Sequence, residues 1–224
     1  NFFEDLIKAK RPVILAGGGL RVTNNIEKFN KILEKLKIPT FVTWNGIDVV
    51  TSDCDYYGGR VGTYGGPGRN FGIQNADLLF AVGSRVSGRI TGGNVSSFAR
   101  EAKKYITDID PELLDKKFQQ VPFDVNIHSD LDSFLEIFDK VYETHKAKIP
   151  NFDDWLSKVV YWRDKYDPTK AAAPKINSYS YEKKNYVNPY FFMEKLSSIM
   201  SNKDIIVGDC GGCSVLVGHA LKTK

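Results

Sequence analysis

Pro12-Val13-Ile14-Leu15-Ala16-Gly17-Gly18-Gly19 decides the fold: five apolar residues, too few for a helix, stopped by three glycines. Just beyond, Ile26, Phe29, Ile32, Leu33 and Leu36 recur at helical spacing over 24–37, so one side of that helix can lie on a sheet. Strand, tight turn and amphipathic helix form half of a crossover unit, and the pattern repeats. Strands are expected at 39–43, 78–83, 104–109 and 121–127. A further helix is expected to start at Ser129, its hydroxyl capping and Asp132 following three residues on, with Leu131, Phe134, Leu135, Phe138 and Val141 turned inward. Short apolar runs alternating with amphipathic helices predict an α/β fold: a parallel, six-stranded Rossmann-like sheet with helices on both faces, followed by a truncated second α/β unit.

Between the second and third of these strands lies a Gly-rich connection over 45–71, long enough to be functional. A helix is expected over 151–166, with Trp155, Val159 and Trp162 on one side. The stretch 167–187 shows no periodicity and reads as an interdomain linker. Asn188-Pro189 opens a new unit, Asn188 suited to capping and Pro189 to the first helical turn, with Phe192, Leu196 and Ile199 on the buried side. A strand at 204–208 and a Gly-containing turn at 209–214 lead into the last helix. The expected division is a central domain at 1–145, a helix and linker at 146–187, and the first part of another domain at 188–224. The chain starts at Asn1, already inside an amphipathic helix built on Phe3, Leu6 and Ile7, and stops one strand into its last unit. It is therefore expected to be a piece of a longer protein.

Composition narrows the class. With 42% hydrophobic residues and 12% aromatics the chain can bury a core. No apolar run approaches the roughly 20 residues of a membrane span, and the formal charge of +4 is spread among acids rather than gathered into a nucleic-acid footprint. Three cysteines, Cys54, Cys210 and Cys213, fit a reducing cytoplasm better than a disulfide scaffold.

The turn Gly17-Gly18-Gly19-Leu20-Arg21-Val22 places backbone amides where a phosphate could meet a helix start. Glycine is equally what any tight turn requires. Val22 replaces the last glycine of the dinucleotide fingerprint, and the next strand ends in Thr43-Trp44-Asn45 without the acid that would hold a ribose, which argues against an NAD dehydrogenase. Cys210 and Cys213 form a CxxC, but zinc needs about four ligands with only His219 nearby, and the preceding sequence supplies no thioredoxin-like context. His128 and His145 suggest no role.

Between 59 and 111 stand Gly62-Thr63-Tyr64, Gln74-Asn75-Ala76-Asp77-Leu78-Leu79, Gly83-Ser84-Arg85, Arg89, Thr91-Gly92 and Asp108-Ile109-Asp110-Pro111. In order and spacing these resemble the large subunits of acetolactate synthase, a thiamine-diphosphate enzyme family, as does 11–19. The segments 60–75, 97–100 and 186–190 are most similar to a branch found among polysaccharide-synthesis genes. The resemblance implies a parent enzyme, a transferase or lyase, that uses thiamine diphosphate and magnesium on 2-oxo acids such as pyruvate, in a cytoplasmic homodimer or tetramer without nucleic-acid or membrane partners. It implies FAD or another nucleotide at Gly17, Gly18, Gly19, Thr43, Trp44, Gly83, Ser84, Arg85, Arg89, Asp108, Ile109, Asp124 and Val125. Arg85 and Arg89 would face the pyrophosphate and Asp108 a ribose or purine. Two departures bear on that site: Val86-Ser87-Gly88 stands where the family commonly has Phe-Asp-Asp, and Val61 stands where it has His. The resemblance further implies that Gly211, Gly212 and Cys213 touch the diphosphate of thiamine diphosphate. No catalytic residue and no metal ligand falls in these 224 residues, which by themselves are expected to be inactive. Two alternatives stay open: another thiamine-diphosphate lyase or decarboxylase, and a non-catalytic nucleotide-binding module.

Overall fold

The computed structural model describes residues 1–62, 65–171, 176–179 and 184–224, with side chains for all of these except 171–186. Its strands are β1 (Pro12–Ala16), β2 (Thr40–Val42), β3 (Tyr57–Arg60), β4 (Leu78–Val82), β5 (Lys103–Asp108), β6 (Val125–His128), β7 (Ile176–Tyr179) and β8 (Lys184–Val187). Its helices are α1 (Phe2–Lys8), α2 (Gly19–Val22), α3 (Ile26–Leu36), α4 (Pro67–Gln74), α5 (Gly88–Thr91), α6 (Pro111–Leu114), α7 (Leu131–His145), α8 (Asp153–Lys165), α9 (Pro168–Ala171), α10 (Pro189–Ile199) and α11 (Gly212–Ala220).

The first six strands make one parallel sheet in the order β3-β2-β1-β4-β5-β6. The chain first builds outward from β1 in one direction, then returns to lay β4 on its other side. The strand order therefore reverses between β1 and β4, where α/β sheets bind ligands. Alternate residues point to opposite faces. Ile14, Ala16, Leu78, Phe80, Val82 and Tyr105 meet α1, α3 and α7 through Phe3, Phe29, Leu33 and Phe138. Val13, Leu15, Phe41, Leu79, Ala81 and Ile106 meet α4 and α8 through Ile73, Trp155 and Val159. The Trp155 indole donates to the Pro12 carbonyl at 3.0 Å, which fastens α8 under β1. That helix, expected to begin a connecting segment, thus completes the second face of the sheet.

Several expectations are corrected. The Gly-rich connection is not all loop: it contains β3 and the first five residues of α4, which continues to Gln74. Gly58 of β3 and Gly72 of α4 give room to Phe41, since a Cβ at either would come within 2.8 or 2.2 Å of that ring. The cap of α7 is Asp130, which accepts from the Ser133 amide at 2.8 Å, and the Ser129 hydroxyl donates instead to the Asp130 carbonyl. The expected linker contains α9 and an antiparallel pair, β7 with β8. Residues 204–208 join no ladder among the described residues, because the two sheets offer them no neighbour, and Ile205 and Val207 are about nine-tenths exposed. Asn188 does cap α10, accepting from the Tyr190 amide at 2.9 Å with Pro189 in the first turn, but Phe192 and Ile199, expected on its buried side, are exposed, and Met193 and Ser197 are buried instead. Among the described residues, no helix is long and apolar enough to cross a membrane.

Candidate cofactor sites

A cleft of about 500 Å³ opens at the carboxyl ends of β1 and β4. It gathers nine of the residues expected at a nucleotide site: Gly18, Gly19, Thr43, Trp44, Gly83, Ser84, Arg85, Arg89 and Asp108. Four do not line it. Gly17 lies beneath, Ile109 is turned to solvent, and Val125 sits inside the sheet opposite Tyr105. Asp124 is at the amino ends of the strands, where its carboxylate accepts from the Lys104 amide at 2.7 Å, on the edge of the sheet away from the cleft.

The glycine turn serves a purpose different from the expected one. The Gly17 amide donates to the Val82 carbonyl at 2.9 Å and the Gly19 amide to the Gly83 carbonyl at 3.0 Å, so neither is open to a phosphate. A Cβ on Gly17 would lie 2.2 Å from the Gly83 oxygen, and one on Gly18 2.8 Å from the Asn45 oxygen. The three glycines let the turns after β1, β2 and β4 meet and form the floor of the cleft. Gly83 itself, at φ +61°, is in the left-handed region.

The polar capacity of the cleft therefore lies in its walls. Arg85 is exposed and makes no hydrogen bond or ion pair to any described residue. Arg21, which sequence reasoning did not single out, lines the cleft but is paired with Asp48 at 2.6 Å. One Asp108 oxygen accepts from the Asp110 amide at 3.0 Å, leaving the other available. Buried Val86 sits at φ +47°, an unusual place for a β-branched residue, and its amide reaches the Ser84 hydroxyl at 3.3 Å. Nothing in its neighbours along the chain signals this. Gly62 lines the cleft, while Thr63 and Tyr64 of the same motif lie outside the described residues.

The second candidate is the turn before α11. Gly211 occupies φ +89°, and a Cβ on Gly211 or Gly212 would meet nothing within 4 Å. No described carbonyl accepts from the amides of Gly212 or Cys213, the open donors of a first helical turn. Cys210 and Cys213 are both exposed thiols, and no group of three or more His, Cys, Asp or Glu that could hold a metal occurs among the described residues.

The far end of α11 is seated on the central unit. The guanidinium of Arg60, 5% exposed, donates to the carbonyls of Val217 and Gly218 at 2.6 Å and also to that of Leu221. Burial presses its pKa below the usual arginine value. Arg69 reaches the His219 carbonyl at 3.3 Å. Gly218 lies flat on Trp44, where a Cβ would be 2.3 Å from the indole. The Ser52 amide donates to the Thr223 carbonyl at 3.0 Å, and the Thr223 amide to the Ser52 hydroxyl at 3.0 Å. Two cations at a helix carboxyl end also match its dipole. None of this could be read from sequence, since Arg60 and Val217 are 157 residues apart.

The family described as "Thiamine pyrophosphate enzyme, central domain" matches residues 2–138. A probable acetolactate synthase large subunit of Methanocaldococcus jannaschii is 29% identical over 98% of this chain and 35% of its own length. The large subunit of acetolactate synthase isozyme 2 of Escherichia coli is 31% identical over 67% of the chain and 28% of its own length. An acetolactate synthase large subunit of Lactococcus lactis is 28% identical over 94% and 34%. The chain thus spans about a third of the length of these relatives.

Proposed function

Because the chain belongs to the thiamine pyrophosphate enzymes, whose central domain it carries, we propose that it serves a thiamine-diphosphate-dependent carboligase or decarboxylase of 2-oxo acids, acetolactate synthase-like in its reaction. The open first turn of α11 carries the proposal. A glycine at positive φ, free space around it and uncommitted amides suit a diphosphate at a helix start. Gly211, Gly212 and Cys213 would hold that group, Cys213 through its backbone, together with magnesium ligands from elsewhere. When bound, thiamine diphosphate supplies the nucleophilic carbon that lets a 2-oxo acid release carbon dioxide and pass on what remains to a second carbonyl. The part of this chain is to bind the diphosphate and to hold α11 in place through Arg60, Arg69 and Ser52.

In the same proposal the cleft takes FAD or a related nucleotide. Its volume is within the range of small-molecule sites, Arg85 can meet a pyrophosphate, and the second Asp108 oxygen can accept from a ribose or purine. The parent enzyme is proposed to be a cytoplasmic homodimer or tetramer, with no acetolactate formed from pyruvate by these 224 residues alone. Calorimetric titration of the protein with thiamine diphosphate and magnesium, beside fluorescence titration with FAD, tests both parts. Saturable binding of each is expected, with FAD weakened about tenfold in Arg85→Gln, the loss of one charge-assisted hydrogen bond. ADP binding with no uptake of thiamine diphosphate would instead favour a nucleotide-binding module, a role consistent with a cleft contained within residues 18–108.

A further inference from the structure

A separate cavity of about 150 Å³, which shares no lining residue with the cleft, lies where β3, α4, α8 and α11 meet. Three guanidiniums line it, one from each of β3, α4 and α8: Arg60, Arg69 and Arg163. Arg163 is balanced by Asp164, Nε to Oδ1 at 2.8 Å. Arg60 and Arg69, 5% and 8% exposed, have no ion pair with a described carboxylate. Their partners are the last carbonyls of α11, and a helix end offers only about half a charge. Asp167, at the cavity wall, accepts from the Thr169 amide and hydroxyl at 2.8 and 2.7 Å through one oxygen; it forms no ion pair with either guanidinium and offsets the charge of Arg60 only from a distance. Two buried like charges beside each other are costly unless neutralised.

Donors remain as well. The Nε of Arg60 and the Nε2 of His219 are buried and have no hydrogen-bond partner among the described residues, and both side chains line the cavity. His219 Nδ1 stands 3.0 Å from the Tyr190 hydroxyl. With that hydroxyl donating, the neutral ring carries its proton on Nε2, an unpartnered donor of a residue that lines the cavity. The volume excludes a flavin or a nucleotide and suits an ion of a few heavy atoms, a water occupying about 30 Å³.

We propose that this cavity binds one small oxyanion, phosphate or a carboxylate of similar size, between Arg60, Arg69 and His219. The bound anion ties α11 to the central unit from a third direction, beside the arginine-carbonyl bonds and the Ser52–Thr223 pair. The site is independent of the flavin and thiamine assignments, since it shares no residue with the cleft or with the turn at 209–214.

The test is calorimetric titration of the Arg85→Gln/Arg89→Gln protein, in which the cleft keeps only Arg21, already paired with Asp48, with inorganic phosphate and separately with acetate, against chloride at equal ionic strength. One oxyanion per chain is expected. Tighter phosphate marks a tetrahedral ligand and tighter acetate a carboxylate. Arg69→Gln should weaken uptake at least tenfold, and Arg69→Lys by much less. Lys222→Gln changes an exposed side chain at the cavity rim and keeps the test valid if Arg69→Gln fails to fold; it should weaken uptake several-fold. The His219 ring resonances give a readout that mere packing would not move: the anion should raise their titration midpoint. Absence of saturable uptake, or uptake indifferent to Lys222→Gln with an unmoved His219 midpoint, would overturn the proposal.

Discussion

At Gly17 a single methyl group decides whether the floor of the cleft can close. The Gly83 oxygen that it would strike is backbone and has nowhere to go. Gly17→Ala is expected to cost about 1–3 kcal/mol as an overpacked contact, seen as a lower melting temperature, and to abolish flavin or nucleotide binding together with it. Glycines were legible in the sequence at this position, but their purpose was not, because the opposing atom comes from 66 residues away. The left-handed backbone of Val86, four residues after β4, is likewise unmarked, since a β-branched residue does not announce it. His219 carries a second prediction. Burial first, then Arg69 and Arg60, hold its pKa below the ordinary value of about 6.5. The unfolded chain therefore takes up the proton before the folded one does. Stability is complete above that value and falls as the pH drops through it. Melting curves at pH 7.5 and 5.5 should separate more widely for the wild type than for His219→Gln; equal separation would refute the assignment.

Elements whose signal is local were read well. The five-residue apolar strands and the stripe of α3 declare themselves through periodicity, and Asn188-Pro189 marks the start of α10 by the chemistry of its own side chains. Elements whose signal is a neighbour were not: β3 and α4 lie in Gly-rich sequence because Phe41 needs the space, and 204–208 has strand-like residues but no described strand to pair with. The seat of α11 belongs to this second kind. Arg60→Met removes three bonds to its last carbonyls, and each carbonyl left buried and unpaired costs about 1–3 kcal/mol. Amide hydrogen exchange across 215–221 should accelerate while exchange in β1 and β4 stays slow. Uniform acceleration would mean that the central sheet, not the seat, depends on Arg60.

At the scale of the whole molecule, the central unit has its own two-faced core, and the cleft is built from residues 18–108 without help from 188–224. A protein ending at residue 187 is therefore expected to retain binding in the cleft within about threefold while losing all uptake of thiamine diphosphate, at the cost of stability where Arg60 and Arg69 lose their carbonyls. Flavin fluorescence and calorimetry on the two lengths decide this, and loss of both activities together would show that the units do not stand apart. The family resemblance read from 11–111 anticipated the parallel fold, without β3, and nine residues of the cleft wall, since those residues cluster at strand ends that periodicity can place. It could not anticipate how the last helix sits, which depends on contacts across the molecule.

Trp44 belongs to both halves of that arrangement, one part of its indole bordering the cleft and another lying under Gly218. The other two tryptophans, Trp155 and Trp162, sit together on the far face of the sheet. The protein thus contains a natural optical probe: its emission colour follows both the filling of one compartment and the lifting of the neighbouring helix, without any attached dye.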